Sequence, residues 1–388
     1  MTTAIMKKYD VHVCIVSDQP TPNLMPILDK NFRPQEVVLL VSERMKEKAK
    51  SLEHVLKNNG LHKVHRVDLP DSYRMDTVEA KVLELLGDYD KSNIALNITG
   101  GNKLMAIAAY QTFHSLGYPA FYVAVEGSGS EILLLDDIQN GDYVKLNAQP
   151  SKLKLEEYLE VHGFKISDHP KEAEFQLPEL TSELVKHAQY AKVLGELYYA
   201  MSQQDTRDSL VIKTPKSEYI YQMSHMLELF EEHKLIQIDK QKDTLTFVDK
   251  KAKNYVMGGW FEAHVYQIVR QLPDIQGAAV NLKITNAREN VHQPNEIDIA
   301  VMKDNVLHVI ECKTVNYTSD ANRGKAQDAL YKLETLKKLG GLRTQAALVS
   351  YLDLPSQARD RAKGAGIKII EKQDLPGLEK HLTNWMNP

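Results

Sequence analysis

Residues 295–313 read Asn295-Glu296-Ile297-Asp298-Ile299-Ala300-Val301-Met302-Lys303-Asp304-Asn305-Val306-Leu307-His308-Val309-Ile310-Glu311-Cys312-Lys313. Two arms rich in β-branched and apolar residues flank a polar break, which is the pattern of a β-hairpin turning at Asp304-Asn305. With those two residues at the centre of the turn, Lys303 pairs with Val306. Counting outward then sets Asp298 opposite Glu311. Side chains alternate faces along a strand, so Asp298, Glu311 and Lys313 share one face. Directly opposed positions hold their Cβ atoms about 5 Å apart. Two carboxylates at that range repel each other unless a positive charge lies between them. A hard, oxygen-preferring divalent cation, Mg²⁺ or Mn²⁺, meets that need, and Lys313 adds a fixed positive charge beside it. The competing reading is an ordinary charged face on a half-exposed hairpin.

The chain has 388 residues, room for two or three domains, and a formal net charge of −4. No global basic field advertises nucleic acid, so any such contact must come from a local patch. Its two cysteines, Cys14 and Cys312, each sit in an apolar strand-like run, which fits a reducing compartment rather than a disulfide scaffold. The N-terminal residues carry no apolar secretory segment, and no apolar run approaches a membrane span. The chain therefore reads as cytoplasmic, with no membrane partner.

From Asp10 to about Tyr158, strand-like runs alternate with helical patterns: Val11–Ser17, Glu36–Val41, Lys63–Val67, Asn93–Ile98 and Ala120–Val125 as strands, with an added edge hairpin at Glu131–Asp136 and Tyr143–Asn147. The class is α/β, a Rossmann-like parallel sheet covered by helices. Ligands bind such sheets outside the C-terminal strand ends. Two loops lie there. One is Ser17-Asp18-Gln19-Pro20-Thr21-Pro22-Asn23. The other is Asn97-Ile98-Thr99-Gly100-Gly101-Asn102-Lys103, which opens a helix. Two glycines permit close backbone approach, and the helix N-terminus with Lys103 makes an anion site suited to phosphate. A simple tight turn remains the alternative for Gly100-Gly101. Neither a Walker A loop nor a Gly-x-Gly-x-x-Gly fingerprint is present.

These loops resemble the CRISPR-associated Rossmann-fold (CARF) sensor domain. The resemblance implies a homodimer binding a cyclic oligoadenylate across its two-fold axis. The Thr99–Lys103 loop would hold phosphates and riboses, and Gln19, Thr21 and Asn23 would line the base side, with Ser17 and Asn97 in the same set.

Residues 161–255 read as a linker, polar and carrying Pro170 and Pro178 between His162 and Leu180, and then a connector. A helix over Thr181–Gln204, a second over Ser217–His233, and short strands at Leu235–Ile238 and Thr244–Val248 resemble a winged helix. DNA contact and a motion-transmitting connector are both open readings, and the lack of a strongly basic recognition helix favours the connector.

From Gly258 a helix opens with Trp260-Phe261-Glu262. The hairpin follows, then a helix (Lys325–Leu339), a strand (Gln345–Ser350), a helix (Ser356–Ala365), a strand (Ile367–Glu371) and a final helix. That order resembles restriction-endonuclease-like nucleases. Asp298 with Glu311-Cys312-Lys313 resembles the PD-(D/E)xK motif, Glu262 being the additional acid. Gln327-x-x-x-Tyr331 resembles a Gln-x₃-Tyr element that faces the substrate strand in some relatives. Together the ends resemble the CARF–nuclease effectors of type III CRISPR immunity, the cyclic-tetra-adenylate-activated DNase/RNase group.

The resemblance implies three domains (1–160 sensor, 161–255 connector, 256–388 nuclease) and metal-dependent hydrolysis of single-stranded DNA or RNA, or nicking of duplex. Asp298, Glu311 and the Cys312 carbonyl would hold the metal. Arg323, Lys325, Lys332 and Arg343 are candidate substrate contacts. The rival reading is a non-catalytic regulator that senses a ligand and binds DNA through the winged helix.

Overall fold

The computed structural model describes residues 9–387 apart from 90–92, 127–128, 140, 169–172, 174, 187–189, 204–207, 287–294 and 318–323. Its strands are β1 (Val11–Ile15), β2 (Glu36–Ser42), β3 (Lys63–Leu69), β4 (Ile94–Asn97), β5 (Ala120–Glu126), β6 (Gly129–Gln139), β7 (Asp142–Asn147), β8 (Phe164–Asp168), β9 (Val211–Lys213), β10 (Ile236–Asp239), β11 (Thr244–Phe247), β12 (Ile275–Asn286), β13 (Asn295–Lys303), β14 (Val306–Lys313), β15 (Gln345–Ser350) and β16 (Ile367–Glu371).

The first sheet runs β3-β2-β1-β4-β5-β6-β7. Its first five strands are parallel, and β6 and β7 add antiparallel at the edge, as the alternating apolar runs predict. The chain leaves β1 first toward β2 and later returns to place β4 on the other side. The loops after β1 and β4 therefore meet at the point where the strand order reverses, where such sheets take ligands.

The third sheet runs β16-β15-β14-β13-β12-β8, antiparallel from β8 to β14 and parallel beyond. Its centre is the hairpin β13–β14, paired from Lys303↔Val306 to Ile299↔Ile310. Continuing that count puts Asp298 opposite Glu311. Asp304 and Asn305 take φ of 51° and 57°, the left-handed pair that a two-residue hairpin turn of matching twist requires. The turn is fastened from a distance: Asn305 Oδ1 accepts from Leu153 N and from Gln276 Nε2, each at 2.8 Å, and Asn305 N donates to Gln276 Oε1 at 2.7 Å. The register at the acids is thus held by the hairpin ladder and by a tether at its far end.

Two differences from the sequence reading concern this sheet. Phe164–Asp168, read as linker, is its edge strand β8, too short to announce itself by alternation. Strand β12 went unread because Gly277-Ala278-Ala279 blurs its start, although Val280, Leu282 and Ile284 alternate cleanly with polar residues after it. In the middle of the chain, Pro178–Lys186 and Tyr190–Ser202 form separate helices, and β9 joins β10 and β11 in a three-stranded wing.

One apolar core joins the two ends of the chain. Leu24, Ile27 and Leu28 from the helix after β1 share it with Tyr158 and Leu159 and with Leu307, Val309, Leu330 and Leu333. Each fully buried Leu or Ile there contributes about 1.5–3 kcal/mol. Polar ties cross the same junction: Tyr158 OH donates to Gly340 O at 2.9 Å, Leu342 N donates to Gln19 Oε1 at 3.1 Å, and Arg343 Nη1 meets Met25 Sδ at 3.4 Å. Arg343 is 4% exposed. That burial beneath the first sheet's helix removes it from the candidate substrate contacts. Arg323 lies outside the described residues. No helix among the described residues is long and apolar enough to cross a membrane.

Candidate active site and sensor loops

Asp298 and Glu311 project from neighbouring central strands and are 6% and 3% exposed. Lys313 Nζ lies 2.7 Å from Glu311 Oε1 and 3.6 Å from Asp298 Oδ2. Asp298 Oδ2 also accepts from Cys312 N at 2.8 Å. Cys312 is buried, and alternation turns its thiol away from the acids into the opposite core. A second ammonium enters from helix Lys325–Leu339: Lys332 Nζ lies 2.6 Å from Glu311 Oε2 and 3.3 Å from Asp298 Oδ1.

Glu262 approaches from helix Trp260–Gln271. The helix start is anchored by Trp260 and Phe261, both fully buried against the ring of Tyr351, with Trp260 Nε1 donating to Tyr198 OH at 2.9 Å. Gly258, at φ 132°, gives the turn that swings the chain into this helix, a conformation closed to L side chains. A cleft of about 400 Å³ opens beside Glu262, with Glu296, Asn281 and Asn254 in its walls. Glu296 precedes Asp298 by two residues and so faces the same side, an acidic neighbour that the sequence reading left out of the site.

The electrostatics follow from burial and crowding. Burial, and then the nearby Asp298, push the Glu262 carboxyl up to about 8. Glu311 is raised for the same two reasons in the same order. Burial works against the charge of Lys313 and Lys332, yet Asp298 and Glu311 hold both ammonium groups above the ordinary lysine value. Three acids and two cations thus crowd one partly buried site, and burial favours the protonated form of Glu262.

Does this arrangement suit a divalent ion? Among the described residues no group of three or more His, Cys, Asp or Glu side chains is gathered to hold a metal by side chains alone. Two carboxylates with a backbone carbonyl and water are nevertheless an ordinary donor set for Mg²⁺ or Mn²⁺. The lysine geometry supplies the fit: a single positive atom reaches oxygens of both Asp298 and Glu311 at once, so one cation can bridge them.

On the helix above, Tyr331 is 54% exposed and its ring lies under the Arg361 guanidinium, 3.7 Å from the centroid. Gln327, half-buried, stands one turn before it. Lys325, at the helix start, is exposed.

The sensor loops come together as the sheet order requires. Asn97 Nδ2 donates to Asn23 Oδ1 at 3.1 Å and to Pro22 O at 2.9 Å, and Asn23 Nδ2 donates to Ile15 O at 3.0 Å. Thr21, Asn23 and Asn97 are essentially fully buried; Asn23 and Asn97 brace the loops from within through these bonds, while the Thr21 hydroxyl has no hydrogen-bond partner among the described residues. Thr99 Oγ1 accepts from Val123 N at 2.7 Å. Asn102 caps the next helix by accepting from Met105 N at 3.0 Å and donates to Ser72 O at 2.9 Å. A Cβ on Gly100 would lie 1.9 Å from Ile15 O, so only glycine lets the two loops pack this closely. Gly101 follows at φ 76°. Ser17 Oγ shapes its own loop by bonding Gln19 O and N. Gln19 turns toward Leu342, as described above. Lys103 is exposed.

With that geometry in view, comparisons with known proteins place both ends of the chain. Residues 11–158 match the family model described as the Card1 CARF domain, and residues 249–388 match that of the Card1-like endonuclease domain. Protein VC1899 from Vibrio cholerae superposes with a TM-score of 0.76 at 24% identity, over 97% of this chain and 98% of that one. Can2 from Sulfobacillus thermosulfidooxidans, solved in complex with cyclic tetra-adenylate, superposes with a TM-score of 0.74 at 25% identity, over 98% of each chain. A type III CRISPR defence DNA nuclease activated by cyclic oligoadenylate shares the fold at a TM-score of 0.52 and 18% identity, and this chain covers 52% of it. A search of curated proteins returns no match. The endonuclease match sets aside the non-catalytic regulator as the leading alternative. The chain belongs to the Card1-like proteins, joining an N-terminal domain of the Card1 CARF family to a C-terminal domain of the Card1-like endonuclease family.

Proposed function

We propose that this protein is a cyclic oligoadenylate-activated, metal-dependent endonuclease of antiviral defence, acting in the cytoplasm as a homodimer. Cyclic tetra-adenylate is the activator, and single-stranded DNA or RNA, with nicking of duplex DNA, is the substrate. Residues 1–160 sense the ring, 161–255 connect, and 256–388 cut as a PD-(D/E)xK centre. The observation that carries this reading is the convergence of Asp298 and Glu311 on a position that one cation can occupy, with Lys313 beside it and Glu262 at its edge.

Asp298, Glu311 and the Cys312 carbonyl would hold Mn²⁺ or Mg²⁺, which would supply Lewis-acid polarisation of the scissile phosphate. The chain's own residues supply the rest. Lys313, fixed by Glu311, sets its ammonium where negative charge grows on the phosphorus oxygens during attack. Glu262 would complete the shell directly or through water, passing its proton to solvent. A water oxygen bonds to phosphorus as the bond from phosphorus to the departing strand oxygen breaks; the water's proton passes to solvent and the leaving oxygen takes one up. Gln327 and Tyr331 offer an amide and a ring face to the strand, a sequence-tolerant contact.

The sensor end is read the same way. Lys103 and the Thr99–Asn102 backbone take the ring's phosphates, and Ser17 and Gln19 lie at the base side. The ring of the Can2 complex supports this choice of ligand. Since Gln19 also accepts from Leu342 N, a ring that engages Gln19 competes with a contact to the loop that ends helix Lys325–Leu339. That is a physical route for coupling between the sites.

The test is incubation of labelled single-stranded DNA and RNA with the full chain and Mn²⁺, with and without cyclic oligoadenylates of several ring sizes. Cleavage that needs both metal and the tetra-adenylate ring supports the reading. Cleavage indifferent to every ring removes the activation, and no cleavage under any combination removes the nuclease.

A further inference from the structure

Lys332 belongs to none of the motif positions assigned to catalysis, yet it is the second cation of the nuclease centre. The four oxygens of Asp298 and Glu311 are shared out between two ammonium groups. Lys313 faces Asp298 Oδ2 and Glu311 Oε1, and Lys332 faces Asp298 Oδ1 and Glu311 Oε2. The two sides are not equivalent. On the Lys313 side, Asp298 Oδ2 is already bonded by Cys312 N at 2.8 Å, and Lys313 is tied to the sheet two residues from Glu311. On the Lys332 side both oxygens meet only that lysine among the contacts described above, and its stem reaches in from a helix. A four-carbon stem with a side chain 32% exposed can withdraw toward solvent without disturbing the backbone.

The charges add up in the same direction. Asp298 and Glu311 against Lys313 and Lys332 sum to zero. A divalent ion held by Asp298 and Glu311 would make Lys332 redundant as their partner and leave an ammonium unpaired at the mouth of the site. The next residue back on the same helix, Tyr331, is exposed and carries over its ring the Arg361 guanidinium, itself paired with Glu334, and its ring face is suited to a nucleotide strand.

Resting on the nuclease reading above, we propose that Lys332 is a displaceable counter-ion. It holds Asp298 and Glu311 in the cation-free chain, yields Oδ1 and Oε2 to the entering divalent ion, and then lies against the substrate phosphate. The exchange sets the metal affinity of the resting protein below what its carboxylates alone would give.

The test is calorimetric titration of the full chain with Mn²⁺, free of nucleic acid and ring, for wild type, Lys332→Met, Lys332→Gln and Lys332→Arg. It is followed by cleavage kinetics on a labelled single strand at saturating Mn²⁺ and ring. Without a competing ammonium, the two neutral variants bind Mn²⁺ roughly tenfold more tightly, the equivalent of one displaced ion pair. Their KM for the strand rises while Lys332→Arg returns both values toward wild type. Unchanged or weaker Mn²⁺ binding in the neutral variants overturns the proposal, as does an unchanged KM. A wild-type chain that binds Mn²⁺ and cuts, matched in both by Lys332→Met and Lys332→Gln, sinks Lys332 alone. A wild-type chain that neither binds Mn²⁺ nor cuts sinks the nuclease reading with it.

Discussion

The two candidate sites of this chain are built on opposite principles. The nuclease centre gathers charge: three carboxyl groups and two ammonium groups in a buried space, with Glu262 driven to hold a proton. The sensor loops gather neutral groups: Asn23, Asn97, Thr99 and Asn102 satisfy one another and the backbone, and glycine rather than charge sets the spacing. The first arrangement holds its carboxylates with ammonium groups, one of which an incoming cation would replace. The second is already satisfied, and it offers shape and one exposed lysine to a ligand that need only be held. Both rest on a common apolar core.

Breaking the sensor's shape carries the largest expected effect outside the catalytic acids. Gly100→Ala puts a methyl group into Ile15 O, a clash that only backbone movement relieves. A cost of about 1–3 kcal/mol in denaturant unfolding, with loss of ring-dependent activation, is expected. An unchanged midpoint with normal activation means the loops are not shape-limited. Lys103→Ala sharpens the contrast, since this charge is added to the scaffold and not part of it. Ring affinity falls roughly tenfold, the scale of one charge-assisted phosphate contact, while the melting temperature stays put. Full affinity would place the phosphates elsewhere.

The cost of burying Glu262 beside Asp298 at the nuclease centre can be read from pH. Burial raises Glu262 from 4.5 to about 8. The folded chain therefore keeps a proton that the unfolded chain has lost, and this group's contribution to stability falls as pH rises through that window. Three buried histidines and the half-buried His264 act with the opposite sign at the lower end: burial lowers His162, His264 and His308 to about 4 and His12 to about 3, so their contribution is lost as pH falls below 6.5. The difference between wild type and Glu262→Gln isolates the acid. In cation-free buffer the variant gains stability over wild type steadily from pH 5 toward pH 8. Parallel melting curves would show that Glu262 is not under strain. The smallest effect tests the shared core: Tyr158→Phe removes the bond to Gly340 O and costs about 0.5–1.5 kcal/mol. A cost confined to one of two separate unfolding transitions would show that the halves fold independently.

Local pattern made much of this legible. The Asp304-Asn305 turn and the alternation around it set the face shared by Asp298, Glu311 and Lys313, and the strand–helix alternation of the N-terminal half gives the parallel sheet with its edge hairpin. What stayed hidden depends on contacts between distant parts of the chain. Lys332 enters the site from a helix whose rotation is fixed by Leu330 and Leu333 in the common core. Asn305 is fastened by Leu153 and Gln276. Arg343 looks like a surface base by composition, but helix Thr21–Leu28 of the first sheet covers it. Thr21, Asn23 and Asn97 read as ligand groups through the family resemblance, and the bonds by which Asn23 and Asn97 also tie the two loops together join residues distant in the chain.

The most direct test of the account is Asp298→Ala in the full chain, with two readouts taken together: cleavage of a labelled single strand in Mn²⁺ with cyclic tetra-adenylate, and binding of that ring. The account predicts that cleavage falls by roughly two to three orders of magnitude or more, the scale of losing one preorganised electrostatic contact, while ring affinity is unchanged. Cleavage retained at the wild-type rate would contradict it.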